Sequence, residues 1–249
     1  MTPLLIALQF LTRLPVRLPG MPEPRQVGQS LLWYPMVGLL LGLLLMGAAF
    51  LLEGRPALLQ AALLLALWVG LSGGLHLDGL ADTADAWVGG YGDRERTLVI
   101  MKDPRSGPIA VVVLVLVLLL KFAALVALLE AGQLLPLLLT PWLARGLLPL
   151  LFLTTPYVRA GGLGQALADH LPRREMPWWL AIQAAVMLVF GWVAWLSLAV
   201  ALVVFAWMRW QYVRRLGGTT GDTAGALVEV VEVVVLVAVA VALSPNPSP

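Results

Sequence analysis

Cysteine is absent from the 249-residue chain, so neither disulfide bonds nor thiolate chemistry enters its function. Charge is scarce: Asp, Glu, Lys and Arg make up 12% of the residues, where a soluble domain carries about 25%. The net charge of +2 is too small to point to nucleic acid as a partner. The first twelve residues lack a basic segment ahead of the apolar stretch and a small-residue cleavage site, which argues against a cleaved signal peptide. A short helix lying in the membrane interface, or re-entering it, is expected there instead, ending at Thr12-Arg13-Leu14-Pro15.

What the chain has in excess is apolar length. Hydrophobic residues make up 60% of it, more than a soluble fold could bury. Crossing a hydrocarbon core of ~30 Å takes about 20 apolar residues, and Leu31–Leu52, Ala57–Leu75, Ile109–Leu129 and Leu134–Leu153 all come near that length. The run Trp178–Trp207 would be roughly 45 Å long as one helix at ~1.5 Å per residue. It reads better as two short helices folded back near Gly191, Trp192 and Ser197, with a single steeply tilted helix as the alternative. A last span runs from about Ala224 to Leu243, before a Ser/Asn/Pro tail that cannot continue a helix. The fold class expected is all-α: a polytopic transmembrane bundle of about seven spans, with six as the alternative count, preceded by the short N-terminal helix.

Basic residues orient such a bundle because Arg and Lys collect in cytoplasmic loops. With seven spans, thirteen of the sixteen fall on one face, from Arg13, Arg17 and Arg25 to Arg209, Arg214 and Arg215, and only Arg55 on the other. Lys121 and Arg145 lie within spans, where a charge more often pairs with an acid or anion than faces lipid.

The acids are as unevenly placed as the bases. Asp78, Asp82 and Asp85 follow the second span, and on a helix turning roughly 100° per residue they occupy about 60° of arc. Like charges at that spacing repel, so the stripe calls for a cation. A divalent ion such as Mg²⁺, which prefers carboxylate oxygens completed by water and phosphate, supplies one. Gly79 would let a substrate approach the backbone. The competing reading is a solvated face of an interfacial helix. A second acidic group, Asp222, Glu229 and Glu232, follows Gly217-Gly218-Thr219-Thr220-Gly221, whose backbone and hydroxyl donors suit a phosphate at a helix N-terminus. A plain helix cap fits that turn as well. Lys102 and Arg105, flanking Asp103, are phosphate-binding candidates and equally topological anchors. His76 is a second-choice site residue.

These parts, in this order, resemble the cobalamin synthase family, the adenosylcobinamide-GDP ribazoletransferases of vitamin B12 biosynthesis. The resemblance rests on Phe10-Leu11-Thr12-Arg13-Leu14-Pro15-Val16, Tyr34-Pro35-Met36-Val37-Gly38 and the segment His76 to Asp85. It extends to Met101-Lys102-Asp103-Pro104-Arg105-Ser106-Gly107, and to Gly217 through Thr223 with Glu229 and Glu232, nearly the whole chain. It implies one integral-membrane transferase domain over residues 1–249, in the cytoplasmic (inner) membrane of a prokaryote with its site loops on the cytoplasmic face. The implied reaction is attack by the 3′-hydroxyl of α-ribazole, or of its 5′-phosphate, on the cobinamide-linked phosphorus of adenosylcobinamide-GDP, releasing GMP and forming adenosylcobalamin or its phosphate. Mg²⁺ is the expected cofactor. The expected metal ligands are Asp78, Asp82, Asp85, Asp222 and Glu229, with Asp82 and Asp85 in catalysis and Asp82 as the base. Arg13, His76, Lys102, Asp103, Arg105, Lys121, Arg145, Thr219, Thr220 and Glu232 are the substrate-binding candidates. The lipid bilayer is the other partner, and a homo-oligomer is left open.

Two alternatives are weighed against this. A CDP-alcohol phosphotransferase has an Asp three residues before its Asp-Gly and an Ala-Arg pair after it, where this chain has Leu75, Ala81 and Asp82. An ion-coupled transporter places acids near the midplane, often on broken helices of a repeat. The acids here sit at loop-to-helix junctions, and no convincing repeat is visible.

Overall fold

Glycines set how closely the helices approach. On α3 (Tyr34–Leu51), Gly38 and Gly42 stand one turn apart and face α8 (Leu135–Thr154). A Cβ at Gly42 would lie 2.5 Å from the Leu138 carbonyl oxygen, and one at Gly38 would meet that of Pro141. Small residues let backbones touch where lipid supplies no hydrophobic drive to helix pairing, and α8, buried on nearly every side, is the axis of the bundle.

The computed structural model describes residues 1–162 and 164–243. Helix α1 is Thr2–Leu11, and α2 (Pro24–Ser30) continues through a 3-10 turn, Leu31–Trp33, into α3. Next come α4 (Ala57–Ser72), α5 (Leu75–Gly89), α6 (Arg94–Ile100) and α7 (Pro108–Glu130). After α8 follow α9 (Gly164–Asp169), α10 (Met176–Leu188), α11 (Trp192–Leu216) and α12 (Gly221–Leu243). Among the described residues there is no strand, only an isolated bridge between Tyr157 and Thr219.

All seven expected segments are helical, but they are not equal. Five stretches are long and apolar enough to cross a membrane: α2–α3, α7, α8, α11 and α12. A sixth arises if α4 and α5, bent by 87°, count as one broken span. The remaining segment is α10, whose 13 residues reach about 20 Å, short of the hydrocarbon thickness of ~30 Å. The chain is a multi-pass membrane protein by this measure, and its outer helices turn valine and leucine outward, as Val111, Val115, Leu116 and Leu119 do on α7.

The break expected near Gly191 is there: Gly191 has φ +77° and ends the connection into α11. Ser197 does not share in it. It lies inside α11 and donates to the Val193 carbonyl at 2.7 Å, and α11 runs on for 25 residues rather than forming a second short helix. Trp192 and Trp195 are exposed near its start and Trp207 and Trp210 near its end, two levels that suit aromatic belts at the interfaces. Helix α1 ends at Leu11 as expected. The Ser/Asn/Pro tail after Leu243 lies outside the described residues.

The basic residues cluster at one end. Arg94 lies beside Gly217, Arg209 donates to the Thr154 carbonyl at 2.6 Å, and Arg159 meets Asp222 at the start of α12. Arg55 sits in the α3–α4 turn at the other end.

Candidate active site

The local geometry begins with Gly73 and Gly74, whose φ values of +64° and +71° are left-handed. Two such residues in succession are cheap only for glycine, and they turn α5 away from α4 by 87°. Helix α5 then lies against α12 at a second glycine seam. A Cβ at Gly79 would come within 2.7 Å of the Asp222 carbonyl oxygen, and one at Gly225 within 3.3 Å of His76 Cα. The close approach that Gly79 permits is therefore that of α12, rather than of a substrate alone. Gly79→Ala is expected to cost about 1–3 kcal/mol, the range for overpacking a tight contact, read as thermal unfolding in detergent. Wild-type stability in that variant would show that the seam is looser than this.

The seam sets two acidic helices on one cavity of about 560 Å³. Asp78 and Asp82 reach it from α5, Asp222 from α12, Lys102 from the α6–α7 connection, and Arg159 from the segment after α8. Arg159 Nη1 bonds Asp222 Oδ2 at 2.5 Å. The carboxylates of Asp78 and Asp82 have no hydrogen bond or ion pair among the described residues. The lining also includes a largely apolar group, Phe10, Leu11, Tyr34, Leu148, Phe152 and Leu167. Three carboxylates against two cations leave that end of the cavity with spare negative charge. Oxygen donors of this kind suit a hard divalent ion, although no trio of His, Asp or Glu among the described residues is drawn together tightly enough to hold one unaided.

Asp85 is not part of this group. Its Oδ2 accepts from the Gly107 amide at 2.5 Å and its Oδ1 from the Ala110 amide at 2.9 Å. It caps the N-terminus of α7 and anchors the loop that carries Lys102, so both oxygens are engaged away from the cavity. Asp103 and Arg105 are not brought in either. They bond each other, Arg105 Nη2 to Asp103 Oδ2 at 2.7 Å, and the guanidinium holds the Asp103 carboxyl down at about 2. Arg13 packs against Gly73 and its amide donates to the Leu71 carbonyl at 2.7 Å, bracing the bend.

Thr219 and Thr220 are fully buried and cap α12. Thr220 N donates to Thr223 Oγ1 at 2.8 Å and Thr223 N to Thr220 Oγ1 at 3.2 Å, a reciprocal pair. The Thr219 amide donates to the Pro156 carbonyl at 2.8 Å and the Val158 amide to the Thr219 carbonyl at 2.9 Å. The threonines, buried and bonded within the protein, tie the Arg159 segment to the start of α12.

Glu229 and Glu232 lie a level deeper. Lys121 Nζ bonds Glu229 Oε2 at 2.6 Å and Glu232 Oε2 at 2.5 Å, and Arg145 Nη1 bonds Glu232 Oε1. Trp68 stacks on Lys121, its ring centre 5.2 Å from Nζ. Glu229 is thus the counter-ion of a lysine and not grouped with the aspartates, and Lys121, Arg145 and Glu232 are equally enclosed. His76 joins the two levels: it lines the cavity floor, and its buried Nδ1 has no partner among the described residues.

Arg159, Tyr157 and the glycines 161, 162 and 164 line the cavity without having been singled out from sequence. The signal was an arginine two residues before a glycine-rich stretch between two spans, a pattern that reads only as a loop with a topological charge.

The chain matches the family described as cobalamin-5-phosphate synthase over residues 3–240. It is 73% identical over 227 residues to an adenosylcobinamide-GDP ribazoletransferase of Ectopseudomonas mendocina, covering 91% of this chain and 93% of that one. The protein of that name from Pseudomonas aeruginosa PAO1 is 68% identical over 234 residues, 93% and 95% of the two chains. The one from Pseudomonas putida KT2440 is 65% identical over 235 residues, 94% and 97% of the two. No solved structure matches.

Proposed function

The chain belongs to the cobalamin-5-phosphate synthase family, and on that footing we propose that its carboxylate-lined cavity transfers the adenosylcobinamide phosphate of adenosylcobinamide-GDP to α-ribazole or its 5′-phosphate. The ribose hydroxyl of the acceptor attacks the cobinamide-linked phosphorus, the bond to the GMP oxygen breaks, and GMP departs. The hydroxyl proton goes to Asp82, whose carboxylate has no hydrogen bond among the described residues. Lys102 and Arg159 balance the phosphate oxygens. Such transfers are mainly matters of positioning and charge neutralisation, and the observation that carries the assignment is the meeting of free carboxylates and cations in one cavity. Nothing in the cavity favours the lipid phosphotransferase or the transporter.

Mg²⁺ fits this donor set, with Asp78, Asp82 and Asp222 as the residues that would hold it. When bound it would screen the diphosphate charge and lower the cost of forming the new bond. The purified protein, given adenosylcobinamide-GDP and α-ribazole, should release GMP and form cobalamin, lose both with EDTA and regain them with Mg²⁺. Absence of GMP release overturns the reaction, and turnover indifferent to chelation overturns the metal. Asp222→Asn should raise the Mg²⁺ concentration for half-maximal rate, whereas Glu229→Gln, one level below, should not. A shift in Glu229→Gln alone would exchange their roles.

The basic end of the bundle, which carries the cavity, is assigned to the cytoplasmic face of a prokaryotic inner membrane. Since the native chain has no cysteine, single cysteines at Ser106 and Gly54 report it. An impermeant thiol reagent applied to intact cells should label Gly54→Cys and spare Ser106→Cys, and the reverse would invert the topology.

A further inference from the structure

The charged groups are only part of the cavity lining. Much of the rest is aromatic, in two stacked pairs. Phe10 and Tyr34, from α1 and α3, have ring centroids 6.3 Å apart at 20°. Phe152 and Tyr157, on and just after α8, are 6.0 Å apart at 21°. All four residues line the cavity together with Leu11 and Leu148. The Tyr34 hydroxyl lies towards Ser30 and the Tyr157 hydroxyl against Gly162 and Gly164. Apart from those two hydroxyls, what this group offers is carbon.

Apart from the adenine of the adenosyl group, the reaction brings two flat bases to the site, the guanine of the donor and the benzimidazole of the acceptor. Guanine carries a hydrogen-bonding edge, and burying that edge against carbon leaves donors and acceptors unpaired, a cost comparable to losing those bonds. The benzimidazole of α-ribazole has a hydrocarbon edge and loses nothing there. A volume of about 560 Å³ is within the ordinary range of ~300–1,000 Å³ for pockets that enclose one small ligand. We propose that the aromatic wall formed by Phe10, Tyr34, Phe152 and Tyr157 is the acceptor-base subsite, which stacks the benzimidazole and turns the ribose hydroxyl towards Asp78 and Asp82. This rests on the transferase reading, and it makes the enzyme selective for acceptor bases without polar edges. The guanine then stays on the polar, open side.

Phe10→Ala and Phe152→Leu separate the two bases. Phe10 is partly exposed, so its loss perturbs packing little, and Phe152→Leu keeps an apolar side chain at a buried position. Each variant should raise the KM for α-ribazole about ten-fold or more, the scale of one lost base–aromatic stacking contact, with the KM for adenosylcobinamide-GDP near that of wild type. Calorimetric titration of α-ribazole into the full-length protein in detergent, without donor, should show the same weakening, and thermal unfolding reports any loss of fold. An unchanged acceptor KM in both folded variants, or a rise confined to the donor KM, overturns the subsite. A wild type that binds α-ribazole through these residues yet releases no GMP would overturn the assigned reaction while leaving the subsite standing.

Discussion

Asp82→Asn is expected to lower turnover by about 10²–10⁴-fold, the range for removing a positioned general base, and Asp78→Asn to fall nearly as far. Both side chains border the cavity and neither has a hydrogen bond or ion pair among the described residues, so the change removes charge and proton affinity while keeping shape. Stability should hold or rise, because the repulsion between neighbouring carboxylates on α5 also falls. Asp85→Asn is the internal control. Its carboxylate receives the Gly107 and Ala110 amides, so its loss should appear first as about 1 kcal/mol of destabilisation, the usual worth of a cap, with a smaller loss of rate. Initial GMP-release rates beside melting curves for the three variants decide this. Wild-type turnover in Asp82→Asn would remove it from the chemistry.

Lys121→Met is expected to have the largest effect on stability. It strands Glu229 and Glu232 in the bundle interior, where Lys121 bonds both carboxylates and only Arg145 would remain, bonded to Glu232. Removing one partner of a buried ion cluster typically costs about 3–5 kcal/mol, and these side chains are at most 4% exposed. The double variant Lys121→Met, Glu229→Gln restores the charge balance and should recover most of that loss. Thermal or denaturant unfolding in detergent measures both. If the single variant is as stable as wild type, the cluster does not hold α7 to α12.

How far the site could be read from the chain depended on the range of the interaction. The bundle follows from apolar run lengths, and the break at Gly191 from a run too long for one span. The spacing of Asp78 and Asp82 was enough to set them on one face, because a helix fixes neighbours three and four residues apart. Asp85 shares that face by angle, yet it is claimed by amides that arrive from another loop, at Gly107 and Ala110. Glu229 likewise meets Lys121 from 108 residues away in the chain, a pairing that only helix packing decides. Arg159 owes its place to the bridge between Tyr157 and Thr219. The Gly73-Gly74 bend was legible as a pair of glycines, but its 87° was not.

If the Asp78, Asp82 and Asp222 cavity handles the diphosphate, electron cryo-microscopy of the protein with Mg²⁺ and GMP shows the GMP phosphate beside Arg159 and Lys102, near the three aspartates that would hold the ion. GMP held elsewhere, such as near Arg55 at the opposite end or on the exposed Asp103–Arg105 loop, would place the transfer outside this cavity.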